Sequence, residues 1–151
     1  MQCLEETEAG TPAYNGESEM ITSQVNLAVN SYTAFVDLLD KLRKRIEWRL
    51  QYFDERQSRI TGELLSDKSV IYLSHHRLLD ELSQLRKEFI DLGVSTKINT
   101  ETVTKDDLKV YFSRYCDLKP SLRRIYQDFN RLVKSTTTTL LIAERGTTSW
   151  N

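Results

Sequence analysis

Glycine, proline and cysteine are all scarce in this chain of 151 residues, which has five glycines, two prolines and two cysteines. An all-β sandwich or barrel needs a turn about every ten residues, so the shortage of turn residues argues against one. Charged residues make up 28% of the sequence, which is typical of a soluble, helix-rich protein. Cys3 and Cys116 are expected to be reduced thiols, because so few cysteines in a chain of this size indicate an intracellular protein.

The sequence also lacks a long apolar run. The longest one, residues 140–143, is far shorter than the roughly 20 residues that a transmembrane helix needs. The N-terminus carries glutamates where a secretory signal has its basic and apolar regions. We therefore expect no transmembrane segment and an intracellular location, in the cytoplasm or the nucleus.

Positive charge is absent from residues 1–21, which contain five glutamates and no lysine or arginine. Since the net charge of the chain is −1, the remaining residues carry +4. The segment has few large apolar side chains to bury, so residues 1–21 are predicted to form a disordered acidic tail. Residues 22–145 are predicted to be a helical domain, and residues 146–151 a C-terminal tail.

What the sequence does contain is apolar residues that recur in sevens between Val25 and Leu92. Two such series, offset by four and three residues, are typical of the seam of a coiled coil or long-helix bundle. The first series is Val25, Tyr32, Leu39, Ile46, Phe53 and Ile60. The second is Val29, Val36, Arg43, Leu50, Gln57, Leu64, Ile71, Leu78, Leu85 and Leu92.

A further pair of series follows a loop at 93–103 and predicts a third helix. Thr104 is a good N-cap, and Pro120 falls on the outward side of this helix, where it is expected to cause a kink. The pattern fades in the threonine run at 136–139, which favours either helix or a short extended stretch. The two series are Leu108, Tyr115, Leu122 and Phe129, and Tyr111, Leu118, Ile125 and Leu132.

The predicted fold is therefore all-α, an elongated bundle or coiled-coil hairpin of three long helices at about 23–61, 67–92 and 104–144. Thr22 or Ser23 is the expected start of the first helix. Gly93 and Gly146 are the expected residues just past the other two ends. A single continuous helix over 23–92 is the alternative to a break between 61 and 67. Because the predicted helices differ in length, part of the seam is expected to be covered by another chain.

Seven residues on or beside the first helix's seam are candidates for binding a partner protein. A polar residue in a seam can pair with another subunit and set the register, and an aromatic residue on a charged stretch, such as Trp48, often anchors a partner. The alternative interpretation is that these residues form the ordinary edge of a core. The seven are Arg43, Trp48, Arg49, Phe53, Arg56, Gln57 and Ile60.

Two basic stretches form a candidate surface for nucleic acid or an anionic membrane. The alternative is a solvated face on which interleaved carboxylates pair with the cations. The stretches comprise Lys41, Lys44, Arg45, Arg123, Arg124 and Arg131.

No pattern in the sequence indicates an enzyme, a metal site or a cofactor. There is no glycine-rich phosphate loop and no nucleophile elbow. His75 and His76 are adjacent, so their side chains point about 100° apart on a helix, and His75 is expected to lie beside the seam. We therefore predict a non-enzymatic protein with no cofactor.

The predicted function is a structural or adaptor subunit of a multiprotein assembly of the vesicle-tethering, cytoskeletal or kinetochore kind, which binds other chains through helix packing. A nucleic-acid-binding helical protein, of the viral coat or nucleocapsid type, is the alternative. A regulatory bundle of membrane traffic would share the first architecture and differ only in its partner.

Overall fold

The computed structural model describes residues 17–57 and 68–148 and contains three helices in these ranges. They are α1 (Glu17–Gln57), α2 (Lys68–Ser95) and α3 (Lys105–Thr148). The described residues include no strand, so the prediction of an all-α bundle of three long helices is confirmed. None of the described helices is both long enough and apolar enough to cross a membrane.

All three helices extend beyond a predicted end, and α2 does so at Ser95. Helix α1 begins at Glu17 rather than at Thr22 or Ser23, so residues 17–21 of the predicted tail are helical. Glutamates near a helix N-terminus are favoured by the helix dipole, which helps to explain the earlier start. Helix α3 passes through Gly146 and ends at Thr148. The predicted break at 61–67 and the remaining parts of both tails lie outside the described residues.

The prediction for Gly93 is wrong, because this glycine lies inside α2 and not past its end. A Cβ atom at Gly93 would lie 2.3 Å from Cε2 of Tyr32, so close packing against α1 requires glycine here. The residue that adopts the left-handed conformation is Lys97, with φ of 55°. Before it, the hydroxyl and the amide of Thr96 both donate to the carbonyl of Leu92, at 2.7 and 3.0 Å, at the end of the helix.

The predicted N-cap of α3 is confirmed. The hydroxyl of Thr104 accepts a hydrogen bond from the amide of Asp107 at 3.1 Å, and the carboxylate of Asp107 accepts one from the amide of Thr104 at 3.0 Å. These two bonds form a capping box. The bond from the amide of Thr104 stabilises the ionised carboxylate and, together with the hydroxyl of Thr104, holds the pKa of Asp107 below its ordinary value.

The buried stripe of α1 contains the later members of the first predicted series, whereas Val25 and Tyr32 are half-buried, and it contains none of the described members of the second series. Leu39, Ile46 and Phe53 are buried as expected. Val29, Val36, Arg43 and Leu50 are only half-buried. The residues one position earlier take their place in the interior, namely Ala28, Phe35 and Leu42, and this series continues to the half-buried Arg49 and Arg56.

The stripes of α2 and α3 follow the predicted series more closely. In α2 the predicted series Ile71, Leu78, Leu85 and Leu92 is buried, and a second series of His75, Leu82 and Phe89 is buried beside it. Pro120 is exposed, as predicted. The buried face of α3 does not fade after Val133 but continues with Thr136, Leu140 and Ala143.

The threonine run at 136–139 stays helical, and two of its four hydroxyls bond back to the helix. The side chains of Thr138 and Thr139 donate to the carbonyls of Lys134 and Ser135, at 3.0 and 2.9 Å. Ser135 does the same with the carbonyl of Leu132 at 3.1 Å. Hydroxyls that are satisfied in this way no longer compete with helical backbone bonds.

Contacts divide the chain into two compact units, and each unit includes a part of all three helices. The first unit consists of residues up to 39 and residues 84–122, and the second of residues 40–83 and 123 onwards. The core of the first unit is aromatic: the ring of Phe89 lies 4.2 Å from that of Phe35 and 5.1 Å from that of Tyr32, centre to centre. In the second unit, Phe53, Ile71 and Leu140 form a buried cluster.

Candidate functional site

A groove between α1 and α3 in the second unit collects four of the candidate residues. Its volume is about 400 Å³. Helix α1 contributes two successive turns of its surface, and α3 contributes Phe129 and Val133, which lie one turn apart on the same face. The lining from α1 consists of Lys44, Arg45, Trp48 and Arg49.

Trp48 is the most exposed aromatic side chain of this groove, with 62% of its surface accessible. Its ring stacks on that of Tyr52, one turn later, with the centres 5.4 Å apart and the planes at 18°. This contact restrains the indole while leaving most of it open to solvent. A large apolar side chain held in this way loses little conformational freedom when it binds a partner.

Arg45 lies against aromatic rings of α3. Its guanidinium donates to the hydroxyl of Tyr126 at 3.1 Å, and its central carbon lies 5.5 Å from the centre of that ring and 5.9 Å from that of Phe129. Among the described residues, no carboxylate lies within ion-pair distance of Arg45 or Lys44. Neither cation at this side of the groove therefore forms an ion pair within the described chain.

Arg49 sits where the groove meets the core. Its guanidinium donates to the carbonyl of Val133 at 3.4 Å and to the hydroxyl of Thr137, and it lies 4.7 Å over the ring of Tyr52. Burial lowers the pKa of Arg49. Within the described part of the chain, its buried Nε atom has no hydrogen-bond partner. The arginine thus joins α1 to α3 and leaves one polar atom unsatisfied.

Two polar side chains of the second unit, His75 and Thr136, are fully buried, and both are 0% exposed. The imidazole of His75 donates from Nδ1 to the carbonyl of Ile71 at 2.7 Å, which leaves Nε2 as the acceptor of the neutral ring. Neither Nε2 nor the hydroxyl of Thr136 has a partner in the described ranges 17–57 and 68–148. Burial, followed by the charge of Arg49, lowers the pKa of His75.

Arg56 makes a contact within the chain. Its Nε atom donates to Oε1 of Glu144 at 2.7 Å, and the same side chains form an ion pair. The bond to Glu144 raises the pKa of Arg56. Its guanidinium also lies 5.4 Å over the ring of Tyr52. Arg56 therefore ties the end of α1 to the end of α3.

The remaining candidates for partner binding lie outside the groove. Phe53 is fully buried among Ile71, Leu140 and the tyrosines next to them, so its side chain is not accessible to another chain in this fold. Arg43 pairs with Glu47 at 3.2 Å on an exposed face. The side chain of Gln57 and all of Ile60 lie outside the described residues.

The second basic stretch differs from the first because carboxylates face it. Arg124 pairs with Glu81 at 3.3 Å and with Asp128 at 3.5 Å. Arg131 pairs with the same Asp128 at 3.1 Å. Lys41 and Arg123 are exposed and do not line the groove. Only Lys44 and Arg45 of the six predicted basic residues therefore contribute to the site.

Sequence reasoning missed Tyr126 beside the groove and the burial of His75 and Thr136. It placed Tyr126 on no series, assigned His75 to the edge of the seam and left Thr136 in a fading pattern. The seven-residue spacing from Phe129 to Thr136 and Ala143 was the available signal, and the threonine run obscured it. No group of three or more His, Cys, Asp or Glu side chains that could hold a metal occurs in the described part of the chain.

Comparison with protein-family models, with curated proteins and with solved structures gives no match for this chain.

Proposed function

We propose that this protein is a non-enzymatic adaptor subunit, and that it binds another protein chain through the groove of the second unit. The exposed, stacked ring of Trp48 beside Phe129 and Val133 is the observation that carries this proposal. Tryptophan and arginine are enriched among the few residues that supply most of the free energy of a protein interface. This groove presents both.

The apolar residues and the cations of the groove have different roles in the proposed binding. An apolar side chain of the partner enters between the two helices and contacts Phe129 and Val133, while the indole of Trp48 covers it from the side. Arg45 and Lys44 lie at the same groove and set the orientation of the partner through charge. The apolar contacts stabilise the complex, and the cations select among partners.

Nucleic-acid binding is the second candidate function. The observation that favours it is an exposed aromatic ring beside two cations without carboxylate partners, since bases stack on such rings. The ion pairs of Arg124 and Arg131 count against it. A titration with single-stranded oligonucleotide at two salt concentrations tests this candidate, because phosphate binding weakens steeply as salt increases.

Purification of the intact chain with its bound companions, followed by mass measurement of the complexes, tests the first proposal. The native chain is compared with Trp48→Ala and with Leu73→Ala, a control whose side chain is 69% exposed on α2 and away from the groove. We expect Trp48→Ala to lose a companion that both the native chain and the control retain. Equal retention by all three chains, at equal helicity, would contradict the proposal.

A further inference from the structure

The groove combines apolar walls with two cations that form no ion pair within the described chain. Phe129 and Val133 provide the apolar part. Lys44 and Arg45 provide the charge, and neither has a carboxylate within ion-pair distance among the described residues. Nearby arginines outside the groove, such as Arg43 and Arg131, do have one. Lys44 and Arg45 are thus two cations beside an apolar groove that have no ion pair among the described residues.

We propose that the partner of this groove is an amphipathic helix that carries carboxylates beside an apolar anchor side chain. This inference rests on the proposed function and states the chemistry of its partner. Carboxylates on the bound helix would supply the ion pairs that Lys44 and Arg45 lack. The anchor would fill the space between the two helices.

A helix fits the groove better than an extended strand does. An added strand binds through unpaired backbone groups at a sheet edge, whereas α1 and α3 use their backbone groups in their own helical bonds. The groove is instead lined by side chains one turn apart, such as Lys44 and Trp48 on α1 and Phe129 and Val133 on α3. Side chains at this spacing form the ridges and grooves into which another helix packs.

Charge also argues against a second copy of this chain as the occupant. A symmetric contact between two such grooves would bring Lys44 and Arg45 of one copy against the same residues of the other. Like charges placed together in an interface oppose association. A nucleic acid would gain less from the second basic stretch, because Arg124 and Arg131 of α3 already pair with Glu81 and Asp128.

Designed peptides test the proposal directly on the full chain. The chain has two tryptophans, Trp48 and Trp150, so Trp150→Phe makes Trp48 the sole fluorescent reporter of the groove. The probe is a peptide of about 18 residues with leucine at intervals of three and four and glutamate on the flanking positions. A second peptide replaces every glutamate with lysine. A single-stranded oligonucleotide of similar length is the third probe.

We expect the acidic peptide to shift the fluorescence of Trp48 and the lysine peptide to leave it unchanged. Lys44→Glu combined with Arg45→Glu should weaken binding of the acidic peptide about tenfold, the effect of reversing two exposed ion pairs. The same double variant should gain binding of the lysine peptide, which a merely misfolded protein would not do. Lys87→Glu combined with Lys109→Glu changes the net charge equally on exposed residues of the first unit and should bind as the native chain does.

Three results would overturn the inference. They are equal binding of both peptides, binding of the oligonucleotide alone, and a dimer of the isolated chain that Trp48→Ala converts into a monomer. If Trp48→Ala also loses a natural companion, these results contradict only the partner chemistry. Retention of that companion by Trp48→Ala contradicts the proposed function itself.

Discussion

The ring of Tyr32 on α1 lies directly against the backbone of Gly93 on α2, so that a Cβ atom at residue 93 would come within 2.3 Å of Cε2 and 2.8 Å of Cζ of the tyrosine. The contact is with a ring that also stacks on Phe89, at 5.1 Å between centres. The tyrosine therefore has little freedom to move away. Close approach of two helices in the first unit depends on this one missing side chain.

Gly93→Ala is accordingly expected to destabilise the protein, with a loss of about 1–3 kcal/mol in the free energy of unfolding from overpacking. The sign of the change in unfolding free energy distinguishes overpacking from the effect of helix propensity. Alanine in place of glycine inside a helix otherwise stabilises by about 1 kcal/mol. Urea unfolding followed by circular dichroism measures the change.

The matched control for this substitution removes the ring that would clash. In a Tyr32→Leu background, Gly93→Ala should cost clearly less than it does in the native chain, because the smaller side chain leaves room for the methyl group. A stabilising effect of Gly93→Ala in the native background would show that the contact with Tyr32 does not constrain the helix.

Phe53 is the packing centre of the second unit, and Phe53→Asp is expected to unfold most of it. The side chain is 0% exposed, so the variant loses the apolar contacts and buries an unpaired carboxylate. Truncating a buried phenylalanine alone costs about 3–5 kcal/mol. Circular dichroism should show a large loss of helicity, whereas Phe53→Leu should keep the native helicity with a lower unfolding midpoint. Native helicity in Phe53→Asp would contradict the assignment of Phe53 to the core.

The spacing of apolar residues was sufficient to predict the helices but not the register of α1. Apolar residues flank the series through Leu39 and Ile46 on both sides, with Val29 and Val36 on one and Phe35 and Leu42 on the other. Such a wide apolar stripe satisfies two seam registers equally. Packing against α2 and α3 buries the side that contains Phe35 and Leu42. The residues that determine this choice are distant along the chain, so the local spacing does not reveal it.

This one-residue difference changes which arginines belong to the buried stripe of α1. In the predicted register the polar residues of the seam were Arg43 and Gln57. In the structure Leu42 takes the place of Arg43, and the series becomes polar at Arg49, which reaches Val133 and Thr137 of α3. Trp48 was identified from its position on a charged stretch, without any knowledge of its neighbours. Its stacking on Tyr52 and its proximity to Phe129 depend on how α1 and α3 pack, which local sequence does not encode.

The buried hydroxyl of Thr136 leads to a prediction about stability. Its oxygen has no hydrogen-bond partner among the described residues, so folding removes it from water without replacing the bonds that it made there. Thr136→Val keeps the shape and removes the hydroxyl. We expect a gain of about 1 kcal/mol in the free energy of unfolding, measured by chemical denaturation.

Thr138→Val is the matched control for Thr136→Val. Thr138 is exposed, and its hydroxyl donates to the carbonyl of Lys134 at 3.0 Å. Thr138→Val should not stabilise the protein. Valine and threonine have similar helix propensities, and the hydroxyl that is removed already has a hydrogen-bond partner. If Thr136→Val instead lost as much stability as the removal of a hydrogen-bonded hydroxyl costs, the Thr136 oxygen would have a hydrogen-bond partner in the folded chain.

Acid is expected to destabilise the second unit through His75. Burial and the nearby charge of Arg49 and His76 lower the pKa of His75 below its ordinary value of 6.5, against a smaller opposite effect of the bond to the carbonyl of Ile71. As the pH falls through 6.5, the imidazole of His75 therefore gains a proton more readily in the unfolded chain than in the folded chain. The stability contributed by the neutral ring is present above that pH and is lost as the pH falls below it, by at most about 1.4 kcal/mol per pH unit.

Thermal unfolding of the native chain and of His75→Leu, measured between pH 8 and pH 5, checks this expectation. The difference in unfolding free energy between the two should change in favour of His75→Leu as the pH falls. Taking the difference at each pH cancels the titration of carboxylates common to both chains. The exposed His76→Leu is the matched control for removal of an imidazole. A constant difference between the native chain and His75→Leu across this range would show that the buried ring accepts its proton as readily in the folded chain as in the unfolded one.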